Sequence, residues 1–128
     1  MRGLVTIGVG VVVALTACSG GGVETGSVAG HAGGRPAAGA ATIDVDASNF
    51  QFVPDVIRID AEQETAVALH SKDGPHDLAV DGLGRVADVG GGDSDTERLR
   101  IDEPGRYTFF CTLPGHRDAG MEGTIVVR

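Results

Sequence analysis

The sequence predicts an all-β fold, an antiparallel two-sheet sandwich of seven to eight short strands. Short alternating or β-branched runs recur through residues 42–128, with turn signals separating them about every ten residues. No stretch carries the 3.6-residue apolar period of an amphipathic helix.

Ile43-Asp-Val45 alternates, and Phe50 and Phe52 are expected to pack in the core just after it. Pro54 separates this first run from Val56-Ile-Arg-Ile59, and Thr65-Ala-Val-Ala-Leu69 follows. Leu78-Ala-Val80 and Arg85-Val-Ala-Asp-Val89 flank the turn signal Asp81-Gly82. After Gly90-Gly-Gly92 comes the clean alternation Glu97-Arg-Leu-Arg-Ile101. Pro104-Gly105 then introduces Gly105-Arg-Tyr-Thr-Phe-Phe-Cys111, and Thr124-Ile-Val-Val127 ends the chain. With side chains alternating across a strand, Tyr107, Phe109 and Cys111 share the inward face and Phe110 points out.

The ends organise the rest. Residues 1–17 read as a secretory leader: Arg2 is followed by an apolar run, Leu4 to Leu15, too short to span a bilayer. Leu15-Thr-Ala-Cys18 resembles a bacterial lipobox, which implies cleavage before Cys18 and a lipid on its sulfur. A plain secretory signal beside a bystander cysteine is the alternative. Residues 18–41 are rich in Gly, Ala and Ser without apolar periodicity, and are expected to act as a flexible tether. His31 within it reads as a solvated linker histidine. Residues 42–128 form one small domain, in which a bound metal adds useful stability.

The chemistry concentrates in Cys111-Thr-Leu-Pro-Gly-His116-Arg-Asp-Ala-Gly-Met121. A thiolate, an imidazole and a thioether sit on one loop between two strands. His76, in Asp73-Gly-Pro-His-Asp77, adds a second imidazole at another loop-to-strand junction. Two imidazoles, a thiolate and a weak methionine are the donor set of a blue-copper electron-transfer site. Soft sulfur suits the cuprous ion, and imidazole serves the cupric ion as well. Three ligands on one loop, with the fourth expected from the opposite sheet, let the sandwich set the geometry before metal arrives. Backbone N–H groups near Cys111 are expected to donate to its sulfur.

Rival readings explain less. Zinc makes poor use of a methionine, and a cysteine nucleophile with a histidine base leaves Met121 idle. A binuclear copper centre needs a second cysteine in the loop. The chain has two cysteines in all, Cys18 and Cys111, so lipid and metal would each take one. His70 reads as a structural or surface histidine.

Phe109-Phe-Cys-Thr-Leu-Pro-Gly-His116, Gly120-Met121 and Gly74-Pro-His76 are similar to the cupredoxins, specifically the plastocyanin and azurin type. The resemblance spans most of residues 42–128. It implies a Greek-key β-sandwich holding one type 1 copper, with His76, Cys111 and His116 as equatorial ligands and Met121 as the axial one. The Cys-to-His gap of four residues looks like azurin, and the His-to-Met gap looks like plastocyanin. Pro75, rather than glycine, before the first histidine favours plastocyanin-like four-coordination. Asp77 stands where the family often has asparagine.

A one-electron carrier that is not an enzyme follows as the expected function, working as a monomer at the outer face of the cytoplasmic membrane. Delivery of copper to a membrane oxidase is the alternative. Formal charge moves from −8 to −9 once Arg2 leaves with the leader. That balance disfavours nucleic acid and favours a redox partner with a basic docking surface. Asp93, Asp95, Glu97, Asp102 and Glu103 are expected to steer it toward an apolar patch of Leu113, Pro114 and Pro75.

Overall fold

The computed structural model describes residues 29–128. Residues 1–28, with the leader and Cys18, lie outside the described residues. Ten strands follow one another: β1 (Gly30–Ala32), β2 (Ala41–Ser48), β3 (Gln51–Val53), β4 (Val56–Ile59), β5 (Thr65–Ser71), β6 (His76–Val80), β7 (Gly84–Val89), β8 (Ser94–Ile101), β9 (Gly105–Phe110) and β10 (Glu122–Val127). They form two five-stranded sheets, in the orders β1-β8-β5-β2-β3 and β4-β10-β9-β6-β7.

The eight expected strands are all present, and two more join them. β3 is a three-residue return that pairs with the end of β2. β1 falls within the segment read as tether, and its Gly-His-Ala gives no β-branched or alternating signal. Backbone bonds supply what its side chains do not. Gly33 N–H donates to Arg98 O at 3.0 Å, Arg98 N–H to Gly34 O at 2.9 Å, and Asp102 N–H to Ala29 O at 2.9 Å. Arg98 Nε adds a bond to Gly33 O at 2.7 Å.

Strand direction also departs from expectation. The sheets are mixed: β2 runs parallel to β5, and β4 parallel to β10. Alternation reports which face a residue takes and carries no information about direction. β2 and β5 are separated in sequence by β4 in the other sheet, so the chain has turned twice before they meet. The expectation that His76 comes from the sheet opposite the ligand loop is likewise corrected. β6 and β9 are neighbours in one sheet, with Ala79 opposite Phe110.

The core lies between the sheets. Leu69, Leu99 and Ile101 face it from one side, and Ile57, Leu78, Phe109 and Ile125 from the other. Phe109 is fully buried and lies 5.1 Å from the Phe52 ring. Burial of a side chain this size stabilises by about 1.5–3 kcal/mol. Gly123 makes room for it, because a Cβ there would meet the Phe109 ring at 2.4 Å. Phe50 corrects the expectation of core packing: it is 45% exposed, on the turn between β2 and β3.

Candidate metal centre

Alternation along β9 brings Cys111 to the rim of the core. Phe109 and Cys111 are both fully buried, while Phe110 lies on the other face. There the Arg117 guanidinium stacks 3.9 Å above the Phe110 ring, and Arg117 also pairs with Asp81 at 3.0 Å and Glu122 at 3.3 Å. Sequence reasoning missed this cap, since nothing in spacing relates residue 117 to residue 81.

The ligand loop closes on itself. Cys111 N–H donates to Met121 O at 3.2 Å, and Met121 N–H to His116 O at 3.0 Å. His116 N–H reaches back to Leu113 O at 3.1 Å. Gly115 has φ of 80°, the left-handed region that glycine occupies without steric cost. These bonds tie Cys111, His116 and Met121 together through the backbone, and Met121 is fully buried.

His76 opens β6 and is 2% exposed. Donor atoms of His76, Cys111 and His116 all lie within 4.8 Å of one another. His116 Nδ1 stands 3.5 Å from Cys111 Sγ, and the two imidazole centroids are 5.3 Å apart. His76 Nε2 bonds Asp73 Oδ1 at 2.8 Å, which leaves His76 Nδ1 buried without a partner. A buried ring nitrogen facing neighbouring sulfur and imidazole donors, with no hydrogen-bond partner, is what a metal ligand looks like before the metal is counted. The donor set fits copper.

Burial pushes the Cys111 thiol above its ordinary range. The backbone N–H groups of Asp77 and Leu113 draw it back, and the Asp77 carboxylate raises it further. A copper ion held here near neutral pH would displace the thiol proton.

Asp77 takes up a definite role. Its Oδ1 accepts from Thr112 N–H at 2.5 Å, its Oδ2 accepts from the Thr112 hydroxyl, and Arg85 Nε lies 3.4 Å away. The carboxylate thus pins the residue after the ligand cysteine to β6, with Arg85 offsetting its charge.

The surface around the donors is uneven. His116 is half-buried. Leu113, Pro114, Pro75 and Val89 line a groove beside His76. An adjoining polar groove is lined by Asp88, Asp93, Asp95 and Glu97. Asp102 and Glu103 stand elsewhere, past the far end of β8, and Asp102 is held by Arg100 at 2.6 Å. The acidic surface near the site is thus smaller than the sequence suggested and includes Asp88. His70 is structural, bonding Asp44 at 3.0 Å, and His31 is exposed on β1.

The sequence profile of the cupredoxin-like domain matches residues 10–127, nearly the whole chain. The chain belongs to the cupredoxin family. Cupredoxins of the plastocyanin and auracyanin kind are blue copper electron carriers, not enzymes. Plastocyanin of Dryopteris crassirhizoma is 29% identical over 97 residues, covering 65% of this chain and 93% of that protein. Auracyanin-B of Chloroflexus aurantiacus is 42% identical over 45 residues, covering 35% of this cupredoxin but 19% of its own length. The solved structure of auracyanin B superposes with a TM-score of 0.66 at 20% identity, covering 80% of this chain and 96% of that one, and shares the fold.

Proposed function

We propose that this cupredoxin carries single electrons on one type 1 copper held by His76, Cys111, His116 and Met121, and that a lipid on Cys18 anchors it at the outer face of the cytoplasmic membrane. The observation that carries the copper reading is the unpartnered Nδ1 of buried His76, converging with Cys111 and His116. When bound, copper supplies a one-electron couple.

The chain's own residues make that couple usable. Cys111 and Met121 offer soft donors that suit the reduced ion, and the two imidazoles suit the oxidised one. Backbone bonds from Cys111 to Met121 and from Met121 to His116 hold the loop in place across the cycle. Of the four donor residues, His116 alone is not fully enclosed, so its ring is the route to a partner. Leu113, Pro114 and Pro75 next to it supply a small apolar contact, which suits a transient complex.

A carrier should keep its copper, and burial of three of the four donors favours retention. Cycling the copper-loaded protein with a reductant and an oxidant beside a copper(I) chelator separates the readings. Retained copper over many turnovers supports the carrier. Loss of copper to the chelator within a few cycles supports delivery instead.

The entry of the chain into the fold suits a membrane anchor. Gly30 pairs with Ile101 at the end of β8 remote from the ligands, whereas Asp93, just before β8, bonds Ser71 beside the His76 loop. The eight residues of β8 span about 26 Å. A chain rising from the membrane therefore meets the domain at the pole away from the copper ligands. Cys18→Ser should remove fatty-acid label and shift the protein from membranes to the medium. Unchanged membrane fractionation with no label on either form sinks the anchor.

A further inference from the structure

The turn between β2 and β3 reaches both imidazoles, His116 directly through Phe50 and His76 through Asp73, although sequence analysis gave it no part in the site. Asn49 N–H donates to Asp73 Oδ2 at 2.6 Å, while Asp73 Oδ1 faces His76 Nε2 at 2.8 Å. One residue on, Phe50 holds a left-handed φ of 67° and sets its ring edge-on to His116, centroids 5.4 Å apart at 83°. Phe50 is a non-glycine residue in a conformation that such residues rarely adopt.

We propose that Asp73 is a positioning residue for His76, and that its charge biases the bound copper toward the oxidised state. This rests on the copper reading above. An ionised carboxylate only accepts hydrogen bonds, so its partner Nε2 must carry the proton. That fixes the tautomer and leaves the Nδ1 lone pair free, on the one side of the ring without a protein partner. The Asp73 carboxylate accepts on both oxygens, from His76 Nε2–H and from Asn49 N–H, so the turn fixes its orientation against the ring.

A carboxylate behind a metal-bound imidazole raises the basicity of the ligand atom. The gain is larger for the more highly charged ion, so the cupric form profits more than the cuprous. The His76 side chain is 1% exposed, so water cannot replace Asp73 as acceptor without a rearrangement of the turn. Asp44 offers a control, since it pairs with His70 in the same way at 3.0 Å and His70 is no ligand.

The test is Asp73→Asn in the full chain, which keeps the shape and an acceptor oxygen and removes the charge. Cu(II) affinity, read by competition, should fall about 10- to 100-fold. Cu(I) affinity should change far less. Each tenfold change in the ratio of the two affinities raises the midpoint potential by about 59 mV. Asp44→Asn should leave the potential where it is. An unmoved potential in Asp73→Asn, or an equal shift in Asp44→Asn, overturns the proposal, because a purely structural role lowers thermal stability without moving the couple.

The metal-free protein gives a second reading, independent of colour. Imidazole nitrogen shifts by NMR should show His76 as the Nε2–H tautomer in the wild type and as a mixture in Asp73→Asn. An Nδ1–H tautomer in the wild type refutes the positioning role. If copper gives no blue protein at all, the functional reading fails, and the tautomer measurement still decides the role of Asp73.

Discussion

Cys111→Ser should abolish the visible thiolate-to-copper absorption completely while leaving the chain folded. The sulfur is the one donor in the site whose electrons give that band, and Cys111 is the only cysteine among the described residues. A serine hydroxyl is a hard oxygen donor that stays protonated, so the three remaining donors can hold copper only weakly and without colour. The fold should survive, because the Cys111 N–H bond to Met121 O belongs to the backbone. Burying an unpartnered hydroxyl costs about 1–3 kcal/mol, within the stability of a small domain. Circular dichroism of the metal-free variant checks the fold, and absorption after copper loading checks the site. Equal colour in the variant would remove Cys111 from the ligand set.

The next largest effect is expected at the surface. Leu113→Asp should slow electron transfer to a basic redox partner at every ionic strength, with the copper spectrum unchanged. Leu113 is half-buried and packs against the core beside His116. A partner docking there must desolvate the new carboxylate, an ionised group whose removal from water costs several kcal/mol. At about 1.4 kcal/mol per tenfold, even part of that cost weakens the encounter complex by about tenfold or more. Neutralising Asp88, Asp93 and Asp95 should act differently, lowering the association rate at low salt and losing its effect near 0.1 M, where the screening length is about 10 Å. Stopped-flow oxidation across a salt series distinguishes the two. If Leu113→Asp leaves the rate alone, the electron does not leave by His116, and Phe110 under Arg117 becomes the exit to examine.

Much of the fold was legible because period two is a local signal. Thr124 to Val127 and Glu97 to Ile101 declare their strands by residue type alone. β1 escaped because Gly30, His31 and Ala32 are held by backbone bonds to β8 that no side chain announces. The parallel pairs escaped because direction is decided by where the chain crosses between sheets. The metal donors were legible for a related reason: Cys111, His116 and Met121 are carried by one loop, so their spacing stands in for their geometry. The residues that hold those donors were hidden. Asp73 meets Asn49 across a separation of 24 residues, and Asp77 meets Thr112 across 35, contacts that exist only once the strands have paired. Phe50 looked like core by its type, and its place beside His116 depends on the left-handed turn at its own backbone.

The most direct measurement is the visible and paramagnetic-resonance spectrum of the full-length protein loaded with one equivalent of copper. The account predicts one copper per chain and an intense thiolate-to-copper band, bleached by a one-electron reductant and restored by an oxidant. A colourless copper complex, or a band that never returns after reduction, would contradict it.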